Sequence, residues 1–301
     1  SLMKINFLIF ALVCFPTLCF GELFLEITKG SEDPYKVAMI PFEGNSRISK
    51  QLNSIMQNDL IRSGEFSILD EELILPIQII DDELIYNDWK LLGMDYLVTG
   101  KIIQTSNSLD INYEIYYIHK KRKVRSSKVF GIPNQIRQLA HYASDGIYES
   151  ITGIKGIAAT RLLYVNEIKD SKSISTYKLM LADSDGKNEK NLLTSSEPII
   201  SPSWSPDGKR VAYVSFETGM AKVFIQEIAS GKREVVLSKD TQISSPSWSP
   251  DGKYLSLTLF QDGNAEIYIL RLRDKTLTRM TKQFSIDTES SWSPKGNKIL
   301  F

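Results

Sequence analysis

Residues Ser201–Lys209 read SPSWSPDGK, and the same nine residues return at Ser245–Lys253. An altered copy, Ser290-Ser291-Trp292-Ser293-Pro294-Lys295-Gly296, follows. Trp204, Trp248 and Trp292 are thereby spaced 44 residues apart, the period of a four-stranded propeller blade. Within the phrase, Pro206 fixes φ at a corner, the Asp207 carboxylate suits backbone N–H donors, and Gly208 supplies a positive φ, so the chain reverses tightly. The tryptophan offers a large apolar face for the wedge between neighbouring sheets, and its indole N–H needs one partner.

The intervals between phrases repeat as well. Arg210–Phe216 and Tyr254–Phe260, then Lys222–Ile228 and Glu266–Leu272, then Glu234–Leu237 and Thr276–Arg279, read as matching strands separated by turns. Arg161–Val165 and Tyr177–Leu181, with Asp185-Gly186, form an earlier copy without the tryptophan phrase. About three blades are expected in residues 157–301, and an open stack leaves a terminal face wet. A six-bladed ring at this period needs about 264 residues and ends near residue 420, so the chain is expected to be truncated.

Upstream of residue 157 the texture changes. Glu22–Ile27, Tyr35–Phe42 and Phe66–Leu69 read as strands, and Ile48, Leu52, Ile55, Met56 and Leu60 recur at helical spacing before Gly64. Asp82–Leu92 is predicted helical, starting on acidic residues that suit a helix N-terminus. Tyr96–Ile103, Leu109–Ile118 and Val124–Phe130 predict an antiparallel meander. A last helix, Asn134–Ile151, places Ile136, Leu139, Ala140, Ala143, Ile147 and Ile151 on one face. The fold class is therefore a small α+β domain over 22–156, helices packed on one sheet, followed by an all-β propeller over 157–301.

Residues 1–21 read as a secretory signal peptide: Met3-Lys4, an apolar run from Ile5, and small residues at Cys19 and Gly21 around a cleavage point after Gly21. The apolar run is shorter than the ~18 residues of a membrane span. The only two cysteines, Cys14 and Cys19, lie within it, so the exported chain folds without a disulfide. Lys+Arg and Asp+Glu each number 36, which excludes polyanion binding by bulk charge.

This layout resembles the TolB family, periplasmic propeller proteins of the Tol-Pal system. The resemblance rests on the signal peptide, the mature start Glu22-Leu-Phe-Leu-Glu-Ile27, the stretch Asp145-Gly-Ile-Tyr-Glu-Ser-Ile-Thr-Gly153, Thr160-Arg-Leu-Leu-Tyr-Val165, and the SPSWSPDGK repeats, and it covers residues 3–301. It implies a six-bladed, non-catalytic scaffold whose mouth receives the lipoprotein Pal and whose mature N-terminus, Glu22, Leu23, Phe24, Leu25, Glu26 and Ile27, engages TolA. Other outer-membrane proteins are further partners in view, and the implied role is outer-membrane integrity and constriction at division. Aligned on the tryptophans, the Pal-facing rim comprises Glu197, Pro198, Gln242, Ser245, Thr288 and Glu289. Gln242, Ser245 and Thr288 take the contact positions; Gln242 stands where the family carries histidine.

Other readings compete. The repeat phrase also occurs in propellers of prolyl-oligopeptidase-type hydrolases, so the alternative is an exported hydrolase with its catalytic domain beyond residue 301. The rim loops read as solvated turns if they bind nothing, and Glu22–Ile27 as an ordinary edge strand rather than one captured by β-augmentation. His119-Lys-Lys-Arg-Lys-Val-Arg125 with Lys128 reads as a solvated hairpin turn, with acidic partners or lipid headgroups as the alternative; the signal peptide and the lack of interleaved aromatic residues argue against nucleic acid. His119 and His141 fall in different elements, and no His-Glu-x-x-His, Gly-x-Ser-x-Gly or Walker motif occurs, so no active site, metal or cofactor is expected. His141 lies on the polar-leaning side of the last helix, as a surface or cap residue would. Asp183-Ser-Asp185-Gly186 lacks the downstream ligands of a calcium loop and reads as a β-turn.

Overall fold

The computed structural model describes residues 33–74, 79, 80, 83, 84 and 86–301. The segments 1–21 and Glu22–Ile27 lie outside the described residues.

The first layer is built from β1 (Tyr35–Met39), α1 (Ser46–Arg62), β2 (Phe66–Ile68), β3 (Ile79–Ile80), β4 (Glu83–Leu84), α2 (Tyr86–Leu91), β5 (Tyr96–Gln104), β6 (Leu109–Tyr117), β7 (Arg122–Gly131) and α3 (Ile136–Thr152). Asn45 caps α1, its side chain accepting from the Arg47 and Ile48 N–H groups at 3.1 and 3.3 Å. Gly153, at φ 75°, ends α3 in the left-handed conformation. Five strands form one sheet in the order β2-β1-β5-β6-β7.

The meander β5-β6-β7 is antiparallel, as its sequence predicts. The pairing around β1 is instead parallel, with Val37 opposite both Ile68 and Tyr96. Parallel neighbours need a crossover, which α1 provides between β1 and β2. The predicted helix Asp82–Leu92 starts only at Tyr86, because Glu83–Leu84 pairs antiparallel with Ile79–Ile80.

One face of the sheet packs Val37, Met39, Val98, Ile111 and Ile115 against Leu52, Met56 and Leu60 of α1 and Leu139, Ala143 and Ile147 of α3. Contact is close: a Cβ on Gly146 of α3 would lie 2.0 Å from the Tyr113 hydroxyl of β6. The other face is smaller and covered by Trp89 of α2 with Met94, Leu97 and Ile118.

The remaining chain forms radial sheets. β8 (Arg161–Lys169), β9 (Ser175–Asp183) and β10 (Lys190–Ser195) make a three-stranded sheet. Two four-stranded blades follow: β11 (Ile199–Trp204), β12 (Arg210–Ser215), β13 (Lys222–Glu227) and β14 (Arg233–Ser238), then β15 (Ile243–Trp248), β16 (Tyr254–Gln261), β17 (Asn264–Arg271) and β18 (Thr276–Arg279). A pair, β19 (Ser291–Trp292) and β20 (Ile299–Leu300), begins the next. These sheets are a partial propeller, and its ring is not closed.

The corner chemistry is as the sequence requires, with one participant more. The Ser205 hydroxyl donates to the Asp207 carboxylate at 2.5 Å and accepts from Arg210 N–H at 2.9 Å, while Asp207 accepts from Lys209 N–H at 3.0 Å. Ser249, Asp251, Lys253 and Tyr254 repeat this arrangement one blade on. These bonds, the serine hydroxyl first, hold the Asp207 and Asp251 carboxyls below their usual range.

Candidate functional site: the propeller rim

The innermost strands of the two four-stranded blades carry the same irregularity. Ladder register shifts between Ile200 and Ser203 of β11 and again between Ser244 and Ser247 of β15. Ser201, Ser245 and Glu289, spaced like the tryptophans, take φ values of 51°, 52° and 53°. A β-carbon resists this left-handed region, and a bulge that holds a residue there turns its side chain away from the regular pleat. Two of the sequence-predicted rim residues, Ser245 and Glu289, sit on this kink.

The first two rim loops are copies of one another. Phe216 N–H donates to the Pro198 carbonyl at 3.1 Å, and Phe260 N–H to the Gln242 carbonyl at 3.0 Å. The third loop is rebuilt. Asn264 Nδ2 grips the Gln283 and Ser285 carbonyls at 2.7 and 2.6 Å, and Glu289 N–H donates to Thr258 Oγ1 at 3.3 Å. Behind it, buried Glu266 accepts from Arg279 Nη2 at 2.9 Å and from the Thr281 hydroxyl. Those two donors, the hydroxyl first, hold the Glu266 carboxyl below its usual range.

Glu197, Gln242, Thr288 and Glu289 are exposed, and Pro198 and Ser245 half-buried. All six lie at the same end of three successive innermost strands. Phe284 and Ile286 also stand in solvent on the third loop. Their only sequence signal is a pair of large apolar residues in a loop. Exposed apolar side chains rimmed by polar ones suit recognition of another protein. The rim brings together no histidine, cysteine or nucleophile–base pair.

Chemistry-bearing residues gather elsewhere. His141, predicted on the surface, is buried with its Nδ1 2.7 Å from Asp59 Oδ2; α1 packs over the flank of α3 that carries it. His141, Asp183 and Asp185 are the one His/Asp/Glu group of metal-binding span among the described residues, but the Arg137 guanidinium already sits on both aspartates, at 3.1 and 2.6 Å. Asp183-Ser-Asp185-Gly186 itself is a turn, closed by Gly186 N–H to the Asp183 carbonyl at 2.9 Å. The basic stretch at His119–Arg125 is a hairpin tip, with His119 2.9 Å from Asp95 and Lys123 2.6 Å from Glu114. No helix among the described residues is long and apolar enough to cross a membrane.

Comparison with known proteins matches residues 23–124 to the TolB amino-terminal domain and residues 148–301 to the TolB beta propeller domain. The Tol-Pal system protein TolB of Pseudomonas syringae pv. syringae is 36% identical over 228 residues, 73% of this chain and 53% of that protein. The Tol-Pal system protein TolB of Alcanivorax borkumensis is 40% identical over 220 residues, 72% of this chain and 50% of that protein. The crystal structure of TolB from Acinetobacter baumannii superposes with a TM-score of 0.80 at 36% identity, covering 91% of this chain and 67% of that one. The chain thus spans about half the length of the curated relatives it matches. On both matched regions and on the superposed fold, the chain belongs to the TolB family.

Proposed function

We propose that the protein is a non-catalytic periplasmic adaptor of the Tol-Pal system. It is exported by cleavage after Gly21, and its two domains divide near residue 156. Its rim, through Glu197, Pro198, Gln242, Ser245, Thr288 and Glu289, receives the lipoprotein Pal. Its mature N-terminus, Glu22–Ile27, engages TolA. The joint role is to maintain outer-membrane integrity and support constriction at division. The observation that carries the reading is the recurrence of one kinked, polar-rimmed loop at the mouth end of consecutive blades, in a chain whose relatives are named Tol-Pal system protein TolB. Loops displayed around a shared axis build one concave surface.

The test is pull-down with purified Pal and TolA fragments. The triple variant Gln242→Ala, Ser245→Ala, Thr288→Ala is expected to lose Pal and keep TolA; deletion of residues 22–33 is expected to do the reverse. Unchanged Pal capture by the triple variant removes the rim assignment, and TolA capture after the deletion removes the N-terminal one.

A further inference from the structure

Among the described residues, the hydrophobic clusters stop at the waist. Two of them draw only on residues 37–151, and two only on residues 163–277. Among the described residues, a set of polar contacts joins the α+β layer to the first propeller sheet. Arg137 and His141 lie one turn apart on α3, with Asp59 and Arg62 on α1. Arg137 Nε reaches Asp183, the last residue of β9, at 3.1 Å, and its Nη2 reaches Asp185 in the turn that follows at 2.6 Å. Arg62 bonds Asp59 at 3.0 Å and the Ser184 hydroxyl at 3.2 Å. His141 backs the cluster, its Nδ1 on Asp59, its Nε2 3.5 Å from Arg137 and 3.8 Å from Asp183.

The connecting chain is held by hydrogen bonds too. Asp145 accepts from Ala158 and Ala159 N–H at 2.6 and 3.0 Å, and Ser184 donates to the Ala158 carbonyl at 2.7 Å. Gly156 passes so close to Asp145 that a Cβ there would lie 2.8 Å from the aspartate Cβ. Apolar burial resists salt, whereas partly exposed ion pairs are screened by it. Arg137 keeps 25% of its side chain exposed, so its bonds to Asp183 and Asp185 are open to screening.

We propose that Arg137, clamped on Asp183 and Asp185, is an ionic lock between the α+β layer and the first propeller sheet, closed at low ionic strength and opened as salt rises. With no apolar cluster shared across it among the described residues, loss of the clamp frees the layer to reorient on the 153–160 linker, as polar interdomain contacts permit. The foot of β10 begins just past the clamped turn, and its far end enters the Glu197–Pro198 loop.

Limited trypsin digestion of the full chain reads the lock at Lys155, exposed in the linker. Arg137→Ala is expected to speed cleavage after Lys155 about tenfold while cleavage after Lys50, inside α1, stays slow. Raising NaCl from about 0.05 to about 0.5 M is expected to speed Lys155 cleavage in the unsubstituted protein but not further in Arg137→Ala. Cleavage unchanged by the substitution and by salt, or an equal salt response in both proteins, overturns the lock. If Arg137→Ala accelerates Lys50 equally, the variant has unfolded, and the decision passes to energy transfer between dyes on Lys50→Cys and Lys239→Cys in a chain carrying Cys14→Ser and Cys19→Ser. A salt-dependent change in transfer supports the lock, and constant transfer overturns it.

Discussion

Trp248 donates its indole N–H to the Ser203 carbonyl of the preceding blade at 3.3 Å, and Trp292 repeats the bond to Ser247 at 3.1 Å. Each repeat is therefore fastened to the backbone of the one before it. The Arg210 guanidinium lies 4.8 Å from the centroid of Trp248, as Arg161 lies 5.1 Å from that of Trp204. The tryptophan fills the interblade wedge and also fixes how far one blade stands along the next.

Trp248 is 7% exposed, so its two contributions separate by substitution. Trp248→Phe keeps most of the apolar contact and loses the bond to Ser203, with an expected loss of about 1 kcal/mol. Trp248→Ala also leaves a cavity and is expected to lose about 3–5 kcal/mol. Urea titration of both variants measures the difference; equal losses would show that the indole N–H carries the whole effect.

Gly146→Ala raises helix propensity yet is expected to destabilise, by about 1–3 kcal/mol, because its methyl group would collide with the Tyr113 hydroxyl. Removing that hydroxyl with Tyr113→Phe is expected to restore most of the loss. Thermal melts of the two single variants and the double variant close the cycle; no recovery in the double variant counts against this origin.

Asp185 carries a pH dependence. Burial pushes its carboxyl up, but the Arg137 bond, Lys187 N–H and neighbouring positive charge together hold it below the ordinary 3.8. A depressed folded value means its stabilisation is complete above the unfolded value and fades as pH falls through the folded one. The Arg137–Asp185 link is thus expected to weaken only below about pH 4. Chemical denaturation of Asp185→Asn against the unsubstituted protein is expected to show a difference at neutral pH that shrinks with acid; a difference constant with pH refutes the assignment.

Glu266 anchors the third rim loop through Thr281, whose hydroxyl also accepts from Ile267 N–H at 3.0 Å. Glu266→Gln keeps the shape and removes the charge that holds Arg279. Hydrogen exchange at Ile267 and across 281–289 is expected to speed about tenfold, with the 196–200 loop unaffected. Uniform acceleration of both loops would mean general destabilisation instead.

The legible part of this fold is periodic. The 44-residue interval set the blades, Pro-Asp-Gly set the corners, and the apolar face at Leu139, Ala143 and Ile147 placed the last helix against its sheet. The role of Ser205 and Ser249 is not legible in sequence, because a serine beside a proline corner is ordinary turn polarity until its hydroxyl lies between carboxylate and backbone N–H. The burial of His141 is not legible either, because the period of its own helix puts it beside the apolar stripe, and α1, arriving with Asp59 from 82 residues away, covers it.

The sequence by itself determined the layer order and the blade period, since each depends on residues within one repeat or one helix. The tertiary structure decided the parallel pairing about β1, the burial of the Asp59–His141 pair, the rebuilt third rim loop and the ionic waist at Arg137. The reason is range. Local propensity and periodicity act between near neighbours along the chain, whereas the partner of a charge is chosen by which distant surface folding brings against it.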